Sequence, residues 1–154
     1  MARPGHGWAR AAGGLALALL ILWPCAPAAA QASLQIWTLE PRRMVFSVAM
    51  EPGQVFTLEH QNSIYLALVR ETYRVGPNGE LRQVMLESPS AGVFEYHGHD
   101  PPSGGRAFLE RPLGALRLRS ASYEHHRLLV GGQAIPLMDL AQPGQPLLLQ
   151  VVTP

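Results

Sequence analysis

From Ser33 onward the chain is interrupted by turn formers too often to hold a long helix. Glu51-Pro-Gly53, Gly76-Pro-Asn-Gly79, Val130-Gly-Gly-Gln133 and Gln142-Pro-Gly-Gln145 punctuate it. Proline at these places fixes φ, and glycine or asparagine admits the positive φ that tight turns need. Between them lie short runs rich in branched and aromatic residues: Leu34–Leu39, Met44–Met50, Val55–Ile64, Val69–Val75, Leu81–Leu86, Leu116–Ala121, Arg127–Val130, Ala134–Leu137 and Leu147–Val152. Each reads as a strand, and no segment keeps a helical period for three turns. The pattern predicts an all-β domain, a single small antiparallel β-sandwich or a partly open barrel. His97-Gly-His-Asp-Pro-Pro-Ser-Gly-Gly105 breaks the rhythm and reads as an exposed loop.

The residues before Ser33 have a different character. Arg3 and Arg10 give a positive start, Leu15–Trp23 is a short apolar run, and Ala28-Ala-Ala-Gln-Ala32 is a small-residue exit. This is the layout of a secretory signal peptide. It predicts a leader over 1–32, cut near Ala32-Ser33 or after Ala30, and a single folded domain over 33–154 in the periplasm or outside the cell. The apolar run is far shorter than the ~20 residues a membrane-crossing helix needs, and Pro24 and Pro27 end it. The mature domain is therefore expected not to span a membrane. Cys25, the only cysteine, falls in the leader. No disulfide, thiolate nucleophile or thiolate zinc site is expected in the domain.

Lysine is absent, which removes Schiff-base chemistry. From Ser33 onward ten arginines face eleven Asp plus Glu, a net charge of −1 with histidine neutral. A near-neutral domain lacks the basic stripe that nucleic acid requires and the polybasic segment that anionic lipid attracts. No motif for a cofactor occurs, and none is expected.

One hairpin carries polar residues where apolar ones are expected. In Val69–Val75, alternation puts Val69, Glu71, Tyr73 and Val75 on one face and Arg70, Thr72 and Arg74 on the other. In the preceding strand Phe56, Leu58, His60, Asn62 and Ile64 share a face. With Tyr65–Leu68 as the loop, Ile64 pairs Val69, Asn62 lies opposite Glu71, and His60 lies opposite Tyr73. This predicts a polar cluster of His60, Asn62 and Glu71 on an apolar face, with Ser63 close by. A buried carboxylate needs partners, so the cluster is either a satisfied structural network, a solvated sheet end, or a binding site.

These residues carry a family likeness. Val55–Val75, followed by Gly79-Glu-Leu81 and Glu87-Ser-Pro-Ser-Ala-Gly-Val93, resembles a bacterial family of small exported proteins classed as a domain of unknown function. Its members are often encoded beside TRAP-type solute transporters of the TAXI kind. The family pattern is a strand ending in His-Ser-Val, a Pro-Val near the turn, a Glu nine residues after the His, and an aromatic two beyond it. A Gly-containing turn and a Gly-Ala-Gly segment follow. Here Ser63 and Ile64 fill the Ser-Val positions, Val69 the Val, Glu71 the Glu and Tyr73 the aromatic; Val130–Leu137 followed by Pro143-Gly144 also fits. Asn62 stands where the family has His, Leu68 where it has Pro, and Ser90 replaces the first Gly, leaving Gly92 to match the second. If the family's His and Glu act as a pair, the titrating half is missing here, because an amide exchanges no proton near neutral pH; His60 is the nearest substitute on that face. The resemblance implies an exported accessory protein whose partner is a membrane or periplasmic component of a solute transporter.

Other constellations are thinner. His97 and His99, in a strand, would share a face and could clamp Zn²⁺ or Cu²⁺, with a third ligand from His60 or from His125-His126. Arg117 and Arg119 project from one face of Leu116–Ala121 and could hold a carboxylate. A hydrolase would need Ser63, His60 and Glu71 to converge, without the Gly-x-Ser-x-Gly elbow. The expectation is a non-enzymatic exported sandwich serving a TRAP-type transport system. A small-molecule or metal-binding module is the alternative.

Overall fold

The computed structural model describes residues 31–121 and 125–154; Cys25 and residues 1–30 of the segment read as a leader lie outside them, whereas Ala32, the last residue of that reading, already belongs to the first strand. Among the described residues ten strands form two antiparallel sheets. They are β1 (Ala32–Leu39), β2 (Arg42–Met50), β3 (Val55–Gln61), β4 (Leu68–Val75), β5 (Leu81–Glu87), β6 (Arg106–Leu113), β7 (Leu116–Arg119), β8 (Arg127–Val130), β9 (Gln133–Pro136) and β10 (Pro146–Val152). One short helix, α1 (Ala91–Tyr96), follows β5. The smaller sheet runs β2-β1-β10-β7 and the larger β6-β5-β4-β3-β8-β9. The sheets do not close into a barrel, so of the two expected architectures the sandwich is the one adopted.

Alternation explains the core. Leu34, Ile36, Met50, Leu147 and Leu149 of the smaller sheet face Phe56, Leu58, Tyr73, Val75, Leu81, Leu128 and Val130 of the larger one, and these residues form one buried cluster. A second cluster lies at the other end of the larger sheet. There Val69 and Leu86 are covered by Val93 and Phe94 of α1, with Ala67, Ala107 and Leu109 around them. Glu71 sits on β4 between Val69 of the second cluster and Tyr73 of the first, and so marks the seam between them.

The helix is too short to hold itself together, and its ends show how it is fixed. Ser90 precedes it without a side-chain cap. At its end Gly98 adopts φ 75°, its N–H donates to the Glu95 carbonyl, and the His99 N–H donates to the Phe94 carbonyl. These two bonds make a Schellman motif with glycine at the left-handed position. The His97-Gly-His99 sequence is thus a helix terminator, not a strand as the metal reading supposed.

Candidate functional site

The hairpin register differs from the expected one. β3 ends at Gln61, and residues 62–67 form a longer loop. His60 pairs Val69, Leu58 pairs Glu71, and Phe56 pairs Tyr73. The shift is four residues, an even number, so the residues that stay in the strands keep their predicted faces while their partners change, and Asn62 and Ile64 leave the sheet for the loop. Asn62 is therefore not opposite Glu71. Its Oδ1 accepts the Ile64 and Tyr65 N–H groups at 2.9 and 3.0 Å, and its own N–H donates to the Ala67 carbonyl. It caps the loop from within, as asparagine does in Asx turns. Ser63 is exposed on that loop, outside the sheet face that carries His60 and Glu71.

What meets Glu71 comes from elsewhere. Tyr73 Oη donates to Glu71 Oε2 at 2.5 Å, and His97 Nε2 stands 3.7 Å from Glu71 Oε1. The Schellman turn after α1 delivers that imidazole to the seam. Burial, then the Glu71 charge and hydrogen bond, hold the Tyr73 hydroxyl protonated well above the usual phenol range. Burial also pushes His97 down; Glu71 opposes this, while His60, His99 and Arg111 reinforce it. His126, buried beside β8, is pushed down to about 4 by burial and then by His60, whose ring centre lies 6.4 Å away. Burial thus favours the protonated phenol of Tyr73 and the neutral imidazoles of His97 and His126.

His97 and His99 gain no third ligand: among the described residues no group of three or more His, Cys, Asp or Glu is arranged to hold a metal. A two-residue clamp is incomplete for zinc or copper, so the geometry does not support the metal reading. Arg117 and Arg119 do point outward from β7, with Leu116 and Leu118 turned inward. Arg119 spends one nitrogen on the Gly144 carbonyl at 3.1 Å. Both arginines line a surface pocket of about 400 Å³ with Leu39 and Pro146.

The sequence reading passed over Glu59. Its carboxylate lies on the outer face of the larger sheet and is 0 % exposed, because two arginine stems fold over it. Arg70 Nε donates to Oε2 and Arg127 Nε to Oε1, each at 2.6 Å. Burial pushes its pKa up, but the two guanidinium groups override this and hold it below the ordinary carboxylate value. The pairings Arg106–Glu87, Glu87–Arg70, Arg70–Glu59 and Glu59–Arg127 place five alternating charges in one row across five strands. The sequence signal was present in Arg70 and Glu59 on matching outward positions, but it emerges only in the correct register.

The loop tip is a third feature. Ile64, Tyr65 and Leu66 are exposed, Leu66 at 72 %, yet they are held in place. Leu66 takes φ 51°, a region that costs a branched residue energy. Gln61 Nε2 donates to its carbonyl, and the Tyr65 ring lies so close over Gly92 that a Cβ there would meet it at 2.3 Å. No family model matches the chain, and no curated protein or solved structure matches it either. No helix among the described residues is long and apolar enough to cross a membrane.

Proposed function

We propose that this protein is an exported, non-enzymatic accessory of a TRAP-type solute uptake system, binding a membrane or periplasmic component of that system through the β3–β4 end of its larger sheet. The observation that carries the reading is the exposed apolar tip Ile64-Tyr65-Leu66. It lies within Val55–Val75, the stretch with the family likeness. Three exposed apolar side chains held by a capped loop are a costly arrangement for a free surface and a good anchor for a partner pocket, where buried aromatic and aliphatic side chains supply most of the affinity. Export fits the leader. Processing after Ala30 would keep β1 whole, because Ala32 already pairs Met50 and is buried in the core.

The test is quantitative affinity purification of the tagged protein after crosslinking in cells, beside a variant carrying Ile64→Asp and Leu66→Asp. A transporter component enriched over an untagged control, and lost in the variant, is the expected result. Enrichment of no transporter component overturns the proposal. N-terminal sequencing of the protein from the periplasmic fraction checks the leader, with Gln31 or Ser33 expected as the first residue.

A further inference from the structure

The row of alternating charges is broken at one link, and a pocket opens there. Arg70 and Glu87 are paired neighbours on β4 and β5, where opposite charges ordinarily meet across strands. They do not meet here. Arg70 leans away to Glu59 through Nε. Glu87 leans the other way, and Arg106 donates to Oε1 through both Nε and Nη2. Among the described residues no ion pair closes the Arg70–Glu87 link. Between them lies a pocket of about 380 Å³, lined by Leu68, Arg70, Glu87, Ser88 and the Gly104-Gly105 turn.

The wall of that pocket is built rather than incidental. Gly105 takes φ 67°, and a Cβ on it would meet the Ser88 carbonyl at 2.6 Å, so only glycine allows the loop to close this tightly. Ser88 donates its N–H to the Gly105 carbonyl, which ties the loop to the end of β5. On one side the Arg70 guanidinium has its two terminal nitrogens unused by Glu59, and its side chain is 46 % exposed. On the other, none of the described residues donates a hydrogen bond to Glu87 Oε2.

We propose that this pocket binds a compact zwitterion of amino-acid size, its carboxylate on the Arg70 fork and its ammonium on Glu87 Oε2. The Arg fork matches a carboxylate in two parallel bonds. The carboxylate opposite, one strand away, is the complement of an ammonium, and a ligand carrying both charges meets both walls of the gap at once. A lone anion would sit opposite the Glu87 carboxylate, and a lone cation opposite the Arg70 guanidinium, so each is disfavoured by the other wall. The site goes beyond the accessory role and does not depend on the loop tip.

The experiment is titration of the purified protein, followed by amide and arginine Nε NMR shifts. The probes are glycine, alanine, β-alanine and phosphoethanolamine, with acetate and ethylammonium as single-charge controls. A zwitterion is expected to give saturable shifts confined to Leu68, Arg70, Glu87, Ser88, Gly104 and Gly105, with Kd of about 1 mM or tighter. The controls should bind at least about tenfold more weakly, a difference of about 1.4 kcal/mol. Saturation by glycine or alanine assigns the site to free amino acids, whereas saturation by phosphoethanolamine alone overturns the carboxylate assignment. Glu87→Gln should weaken zwitterion binding at least about tenfold while leaving acetate binding no weaker than in the wild type. No localised saturation by any zwitterion, or acetate binding as tightly as the best of them, overturns the proposal. The wild-type panel decides this even if the variant fails to fold.

Discussion

Glu59 and Glu71 sit on neighbouring strands of one sheet and face opposite sides of it, and they are satisfied in different ways. Glu59, on the outer face, is buried under two charge-assisted bonds from Arg70 and Arg127. Glu71, on the inner face, has 12 % exposure, a phenol at 2.5 Å and an imidazole at 3.7 Å. The outer site is a closed ionic clamp of fixed charge, because arginine does not titrate. The inner face carries His97 and His126, imidazoles that burial holds below the ordinary 6.5 and that acid must protonate. One carboxylate locks register; the other sits in the part of the molecule that acid will disturb first.

The largest effect should come from opening the clamp. Glu59→Ala leaves two arginines converging on an empty site and should cost about 2–4 kcal/mol in urea unfolding; a loss under 1 kcal/mol would show that the clamp is solvated. Next is the acid response of the inner face. The folded-state pKa of His126 is depressed to about 4 from the ordinary 6.5, so the unfolded chain takes up its proton first. Its neutral form contributes fully above pH 6.5, and that contribution drains away as pH falls toward 4, reaching about 3 kcal/mol. His97 is shifted the same way and adds to the loss over the same side of 6.5. Glu59 behaves otherwise: its depressed pKa contributes above the ordinary 4.5 and is lost only below it. Unfolding midpoints between pH 7.5 and 4.5 should therefore fall steeply in the wild type and flatten in His126→Gln, with Glu59→Ala leaving that slope unchanged. Equal slopes in all three would erase the contrast between the faces.

Smaller effects sharpen the same comparison. Tyr73→Phe removes the donor to Glu71 and should cost about 1–2 kcal/mol, read from urea unfolding at pH 7.5. Arg106→Ala breaks a pair exposed on the arginine side and should change stability by no more than about 1 kcal/mol, less at high salt.

The sequence made the faces legible and left the partners obscure. Period-two alternation put Glu71 inward and Arg70 outward, and both assignments hold in the structure. Pairing depends on loop length, which Asn62 sets by capping the apex in a way that no strand pattern reveals. β6 was missed because Arg106, Glu110, Arg111 and Pro112 interrupt its apolar signal, as suits a strand at the margin of a sheet. The helix α1 was missed because six residues give fewer than two turns of period. His97 could not be joined to Glu71 without that helix. His126 entered the sequence reading only as half of the His125-His126 pair offered to a metal, and nothing in a pair of adjacent histidines marks one of them as buried.

The outermost strand β6 has a consequence for life in a crowd. A free strand margin invites stacking by other copies, and this one offers Pro112, which lacks a donor, and Arg106, which ends the charge row in a positive group. A second copy extending that row would need an acid where its own β6 presents arginine. The charge pattern that clamps the sheet internally thereby also discourages open-ended aggregation at its rim.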